Sequence, residues 1–322
     1  MNTRRFSNDY RTRHAVCGPH QHLDRSQHDR KVSRQVADEH GAPERAGRYN
    51  KKLLSGAARL DDLRSLAAQI RQSFYKITLP WSDEGYRLLP AHFYFDWTQQ
   101  MRDFEAIFER KVEDFLALYP SYIEQVRPEL NGLFREEDYP SAEKLRTKFG
   151  VQLEVLPIPS GEDFRVTMSA EEQARVAKEI ATNVRQSLAR GTEDLWSRLQ
   201  DVVSHMVDRL NEPESRFHSS LVTNVLDLMA LLPQLNVGED RELNRFAEEI
   251  RNKLCAFTAR DLKTNDVLRV ATAHDAAALL YEMDAVLRER EEKQETIPEM
   301  GSASSADHIF SHMSAYMEAA SQ

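Results

Sequence analysis

The sequence predicts a mainly α protein: a long antiparallel helical pair, a coiled-coil-like arm, standing on a helical bundle and carrying a small β-hairpin insert. Two apolar rows at helical spacing support that reading. Tyr94, Trp97, Met101, Phe104, Phe108, Val112, Phe115 and Tyr119 form the first, and Val176, Ile180, Val184, Leu188, Leu195, Leu199, Val202, Met206 and Leu210 form the second. The third observation is the scarcity of helix breakers, with 11 Gly and 12 Pro in 322 residues, which favours long helices over a sandwich.

Residues 1–48 are rich in Arg, His, Gln, Ser and Asp without apolar periodicity, so they predict a disordered basic tail. Leu60, Leu63, Leu66, Ala67 and Ile70 then mark a first helix ending near Tyr75, stopped at Thr78-Leu79-Pro80. Residues 79–90 form an ordered connection holding Trp81, Gly85 and Tyr86. The first long helix, 91–119, would span roughly 40 Å, with Pro120 as its interruption and shorter helices over 122–134 and 138–149. In 150–167, Val151, Leu153 and Val155 alternate before a Ser-Gly-Glu-Asp turn and Phe164-Arg165-Val166, the pattern of a β-hairpin. Ser169 and Glu172 fit a capping box that opens the second long helix, 170–211, continuous or kinked at Gly191.

Three further amphipathic stretches, 217–232, 239–257 and 265–290, close the bundle base. The expected organisation is therefore a tail over 1–48, a helical domain over 49–290 with its arm at 91–211, and a flexible C-terminal tail over 291–322. Within that last tail, Ile309–Ala319 reads as a weakly held helix.

Composition narrows the function classes. No apolar run reaches the roughly 18 residues that cross a bilayer, and arginines rather than an apolar segment follow Met1, so the expectation is a cytoplasmic protein without a membrane partner. Cys17 and Cys255 lie too far apart in sequence to suggest a disulfide framework. Residues 1–50 carry ten Lys/Arg against six Asp/Glu, which leaves the remainder at −13 out of a total of −9. An acidic body disfavours general nucleic-acid binding, which would have to come from a local patch or the tail.

No phosphate-binding loop, dinucleotide fingerprint, zincin pair or nucleophile elbow occurs, so no catalytic residue and no cofactor is expected. His14, Cys17, His20, His22 and His28 carry zinc-type donors, yet one thiol in a polar tail lacks the paired knuckles of a structural site. Asp201, His205 and Asp208 share one helix face and could be half of a metal site in a bundle; a solvated stripe with local ion pairs is the plainer reading. His274 falls near an apolar helix face and reads as a core histidine. The aromatics of 94–119 read as core before they read as a base-stacking platform. The most distinctive mixtures of apolar and charged groups are Trp81, Asp83, Tyr86 and Arg87 in the connection, and Asp163 and Arg165 in the insert. These are the candidate partner-binding residues, or else packed corners in which arginine and carboxylate pair.

Thr78-Leu-Pro-Trp-Ser-Asp-Glu-Gly-Tyr-Arg-Leu-Leu-Pro90, Phe115-Leu-Ala-Leu-Tyr-Pro120, Asp138-Tyr-Pro140 and Pro157-Ile-Pro-Ser-Gly-Glu-Asp-Phe-Arg-Val166 resemble a family of uncharacterised helical proteins of bacteriophages, prophages and plasmids, over residues 50–290. The resemblance implies a cytoplasmic accessory protein of a mobile element, similar to those encoded beside MoxR-type AAA+ ATPases and von Willebrand A-type proteins. It therefore implies a non-enzymatic adaptor for an AAA+ ATPase and supplies no catalytic residues. A nucleic-acid-binding accessory factor and a metal-dependent helical-bundle enzyme are the rival readings.

Overall fold

The computed structural model describes residues 10–17, 27–82, 85–158, 169–212 and 218–295, and these are mainly helical, with small antiparallel sheets. They fall into two compact units. One holds the residues up to Leu199 together with Leu226–Glu248; the other holds Gln200–Val225 and the residues from Glu249 onward. The sequence had suggested one helical domain over 49–290.

The first unit begins with strand β1 (Tyr10–Cys17), strand β2 (Gln27–His28) and helix α1 (Arg30–Glu39), so the expectation of a disordered tail is corrected over 10–17 and 27–48, while 1–9 and 18–26 lie outside the described residues. The physical reason is local. Asp29 caps α1 by accepting from the amides of Lys31 and Val32, and β2 pairs with β3 (Asn50–Lys51). Polar composition concealed an order that rests on caps and charges more than on apolar burial.

Helix α2 (Ala58–Lys76) buries Leu60, Leu63, Leu66, Ala67, Ile70 and Phe74. After it, β4 (Leu79–Pro80) and β5 (Arg87–Leu89) form a short antiparallel hairpin, whose turn places Gly85 at φ 88°, a region that disfavours any side chain. Helix α3 (Tyr94–Leu130) then returns along α2 in the opposite direction. Phe74 meets Trp97 at 5.7 Å between ring centroids, while the Arg59 amide donates to the Tyr122 hydroxyl at the other end.

An antiparallel long pair is thus present, but α2 rather than segment 170–211 packs along α3. Leu60, Leu63, Ile70 and Phe74 already fill the seam that the arm reading had reserved for the later helix. Pro120, expected to interrupt α3, lies inside it. The missing amide removes one rung of the ladder, but Phe115, Tyr119, Tyr122 and Val126 are buried on both sides of it. At roughly 1.5–3 kcal/mol for each large apolar side chain, that burial outweighs the local cost.

Helix α4 (Ala142–Arg146) is capped by Ser141, and strand β6 (Gly150–Pro157) follows. The sheet runs β4-β5-β1-β6, with Tyr10 opposite Pro157 and Cys17 opposite Gly150. The strand expected over 150–157 therefore exists, but its described partner is β1. The other half of the expected hairpin, around 164–166, lies outside the described residues.

Helix α5 (Ala170–Asn211) is a single helix, without the break considered at Gly191. The Ser169 hydroxyl accepts from the Glu172 amide at 3.2 Å, whereas the Glu172 carboxylate turns to Arg175, so only half of the expected capping box forms. Gly191 serves contact: a β-carbon there would lie 3.2 Å from Leu79 Cδ1 and 3.3 Å from Leu79 Cβ.

Helices α6 (Ser220–Leu235), α7 (Arg241–Leu254), α8 (Ala259–Thr264) and α9 (Asp266–Glu295) follow. In the first unit, Trp196 stacks edge-on against Phe246 at 5.5 Å, and its indole donates to Asp240 at 2.9 Å. In the second unit, α9 buries Ala273, Ala276, Leu279 and Met283, and Gln200 donates to Asp284 at 2.7 Å. Residues 296–322, including the expected helix at 309–319, lie outside the described set.

Two stability measurements test this packing. Tyr119 is 2% exposed and its hydroxyl has no hydrogen-bond partner among the described residues, so Tyr119→Phe removes an unmet polar group at nearly constant shape. Chemical denaturation should find that variant more stable by roughly 1 kcal/mol. At Gly191, alanine gains about 1 kcal/mol of helix propensity and loses a comparable amount to crowding, whereas Gly191→Leu should cost roughly 1–3 kcal/mol. A leucine variant as stable as the parent would remove the close approach to Leu79.

Candidate functional site

The contact between Phe74 and Trp97 brings the C-terminal end of α2 beside the N-terminal end of α3, and large aromatic groups reach solvent there. Tyr75 is 50% exposed and Phe95 80% exposed. Arg87, on β5, is held at this end by Thr78: its Nε donates to Thr78 Oγ1 at 2.8 Å and its Nη2 to the Thr78 carbonyl at 2.9 Å. Its guanidinium carbon sits 4.7 Å from the centre of the Tyr75 ring, within cation–π range. Burial pulls the Arg87 guanidinium below its usual value, with Arg198 adding repulsion and Asp194 opposing both; a guanidinium so far above neutrality remains a cation. Arg198 also donates to the Thr78 carbonyl, at 2.7 Å, so one backbone oxygen receives two guanidinium groups.

Among the residues singled out from sequence, the hairpin brings Trp81, Tyr86 and Arg87 together. Trp81 is buried and serves as an anchor, and its carbonyl accepts from Arg190 at 3.0 Å. The Tyr86 hydroxyl donates to Glu154 on β6 at 2.9 Å. Asp83, Asp163 and Arg165 lie outside the described residues. Sequence reasoning missed Tyr75, and it read Phe95 with the other aromatics of 94–119 as core, an expectation corrected by a ring that is 80% exposed. For Phe95 a signal existed: the positions three, four and seven residues on are Thr98, Gln99 and Arg102, so this ring falls on the polar side of α3 while its neighbour Tyr94 follows the apolar row.

A second polar feature lies beside α1. Lys51, 3% exposed, forms ion pairs with Asp138 and with Asp29, the latter at 3.5 Å, and donates to the Leu133 carbonyl at 3.3 Å. Arg135 stands 3.9 Å from Asp29. Burial works against the Asp29 charge, but the Val32 amide, Arg135 and Lys51 together hold its carboxyl below the usual range. Burial, with Asp138 beside it, pushes the Tyr139 phenol up to about 12, and its hydroxyl donates to the Leu53 carbonyl at 3.0 Å. Asp29, Lys51, Arg135 and Asp138 line a groove of about 740 Å³ whose walls also include Arg30, Arg34, Asp38 and Glu39. Both charge signs alternate along it, so it presents no uniform field to a nucleic acid or a single anion.

His28 Nε2 is hydrogen-bonded to Ser33 Oγ at 3.0 Å, while His20 and His22 lie outside the described residues. Asp201, His205 and Asp208 are exposed along α5, and no group of three or more metal-type donors occurs among the described residues. His274 is exposed on α9, which corrects the expectation of a core histidine: the apolar row beside it faces outward. Burial raises the Cys255 thiol to about 11, so this free cysteine is a poor nucleophile at neutral pH. No described helix is long and apolar enough to cross a membrane. No protein-family model matches the chain, and neither does any curated protein or solved structure.

The ion cluster carries a pH dependence. Because the folded Asp29 carboxyl titrates below its unfolded value of about 4, its stabilisation is present above that value and fades as pH falls through the folded value. Hydrogen exchange between pH 5 and pH 3 should therefore show α1 losing protection before α2 and α3; simultaneous loss would detach the cluster from the stability of α1.

Proposed function

We propose that the chain is a cytoplasmic, non-enzymatic interaction adaptor, an accessory protein of a mobile element whose partner is an AAA+ ATPase. The observation that carries the adaptor reading is the exposed aromatic end of the α2–α3 pair, where Tyr75 lies under Arg87 and Phe95 projects into solvent. Tyrosine, phenylalanine and arginine are enriched at the centres of protein interfaces, because they bury much area with few rotors and, for Tyr and Arg, still offer a polar group. A ring exposed to 80% on an otherwise polar helix face, touching edge-on the ring of its neighbour Tyr94, contributes little to the fold of its own chain, so partner contact supplies its physical rationale. The choice of an ATPase as partner rests on the resemblance to phage and plasmid proteins described above.

The hairpin supports the reading in another way. Thr78 and Trp81 hold Arg87, Arg190 and Arg198 through backbone and side-chain oxygens, which fixes the surface beside Tyr75 before any partner arrives. A preformed surface loses less conformational entropy on association than a mobile one.

The test is binding of the full chain, followed by calorimetry, to an AAA+ ATPase of the MoxR type, taken from a gene adjacent to its own where one is present. Phe95→Ser combined with Tyr75→Ser should weaken association by at least about tenfold while leaving the circular dichroism spectrum unchanged, since neither side chain is buried. A folded double variant that binds as tightly as the parent would remove this surface. Failure of the parent to bind would remove the ATPase.

A further inference from the structure

Helix α9 is apolar on two sides. One side carries the buried Ala273, Ala276, Leu279 and Met283. The other presents Val267, Val270, Ala271, His274, Ala277, Ala278 and Tyr281 to solvent, with Val267 79%, Val270 63% and Tyr281 72% exposed. These positions advance by three and four over four turns, so they form one continuous strip, with His274 at its centre, alanines on either side of it and larger apolar side chains at its ends. We propose that this strip is the docking surface for residues 309–320 of the same chain. This inference is independent of the adaptor reading and uses a different surface.

Two properties of the chain beyond α9 support that occupant. The first is pattern. Ile309, Phe310, Met313, Tyr316, Met317 and Ala320 fall at i, i+1, i+4, i+7, i+8 and i+11, one face of a helix, against Ser311, His312, Ser314 and Glu318 on the other. Large flexible side chains on that face complement the alanines Ala271, Ala277 and Ala278 that flank His274, where Cβ atoms leave shallow holes. The second is reach. Returning from Glu295 to the level of Tyr281 requires about 21 Å along α9, and the chain between 296 and 308 can span about 43 Å when extended.

Area decides between this occupant and a second copy. A strip of four turns on one helix, with three alanines among its seven residues, offers far less than the about 1,200 Å² that stable association of separate chains buries. A tethered segment does not need that area, because a short linker holds it at an effective concentration in the millimolar range.

Limited proteolysis of the full chain with chymotrypsin tests the proposal, reading cleavage after Phe310 and Tyr316 by mass. The parent should be cut slowly there, and Val270→Asp with Ala277→Asp should accelerate both cuts at least tenfold, independently of protein concentration. Both substituted positions are exposed, and unchanged cleavage elsewhere checks that the body stays folded. If it does not, Met313→Asp, which leaves α9 intact, must produce the same acceleration. Equal rates in parent and variants would overturn the proposal. So would protection that disappears on dilution, because that result assigns the strip to a second copy.

Discussion

The first unit depends on the apolar seam between α2 and α3. Leu60, Leu63, Ile70 and Phe74 on one helix meet Trp97, Met101, Phe108, Val112 and Phe115 on the other, and all of them are buried. Phe115 is a junction in that seam: its ring lies 5.7 Å from Phe149, 5.8 Å from Tyr119 and 6.2 Å from Tyr122, so one side chain links α3 to the approach to β6. A ring fully enclosed in this way loses contacts with every neighbour if it is shortened, a cost roughly 3–5 kcal/mol deep for Phe to Ala. The seam also explains why α3 runs through Pro120, since a row buried on both sides of the proline leaves the chain no other place to go.

Where apolar surface runs out, charge takes over the fastening. Lys51 joins the β3 segment to the 133–138 turn through the Asp138 carboxylate and the Leu133 carbonyl, and to the start of α1 through Asp29, while Arg190 and Arg198 on α5 tie the β4–β5 hairpin to that helix through backbone oxygens. Such buried polar contacts contribute modestly to net stability, because desolvation offsets much of their attraction, but breaking one leaves a costly unmet charge. Their effect is to specify one arrangement. That serves a surface whose function depends on where Tyr75 and Arg87 point.

How much of this the sequence revealed follows from the kind of interaction involved. Helices whose stability comes from apolar burial were legible, because Leu60 to Phe74 and Trp97 to Tyr119 write their period directly into the residue order. Their pairing was not. Two long rows invited a partnership between 91–119 and 170–211, and nothing local says that the shorter row of α2 fills the seam first. Segment 27–51 was illegible for a different reason: its order rests on Asp29, Ser33 and Lys51, and single polar residues have no periodicity to read. At the aromatic end, Trp81, Tyr86 and Arg87 stood out by composition. Tyr75 did not, because exposure is a property of the assembled seam, and Phe95 was read as core although Thr98, Gln99 and Arg102 place it on the polar side of α3.

Gly191 has a consequence for how α5 is positioned. With no side chain where Leu79 presses in, the helix carries a notch that admits the strand at one height only. Sliding α5 by one turn in either direction would bring Leu188 or Leu195 against the same leucine, and both are already buried on that helix. A missing methyl group therefore acts as an index mark, setting axial register without a hydrogen bond or a charge.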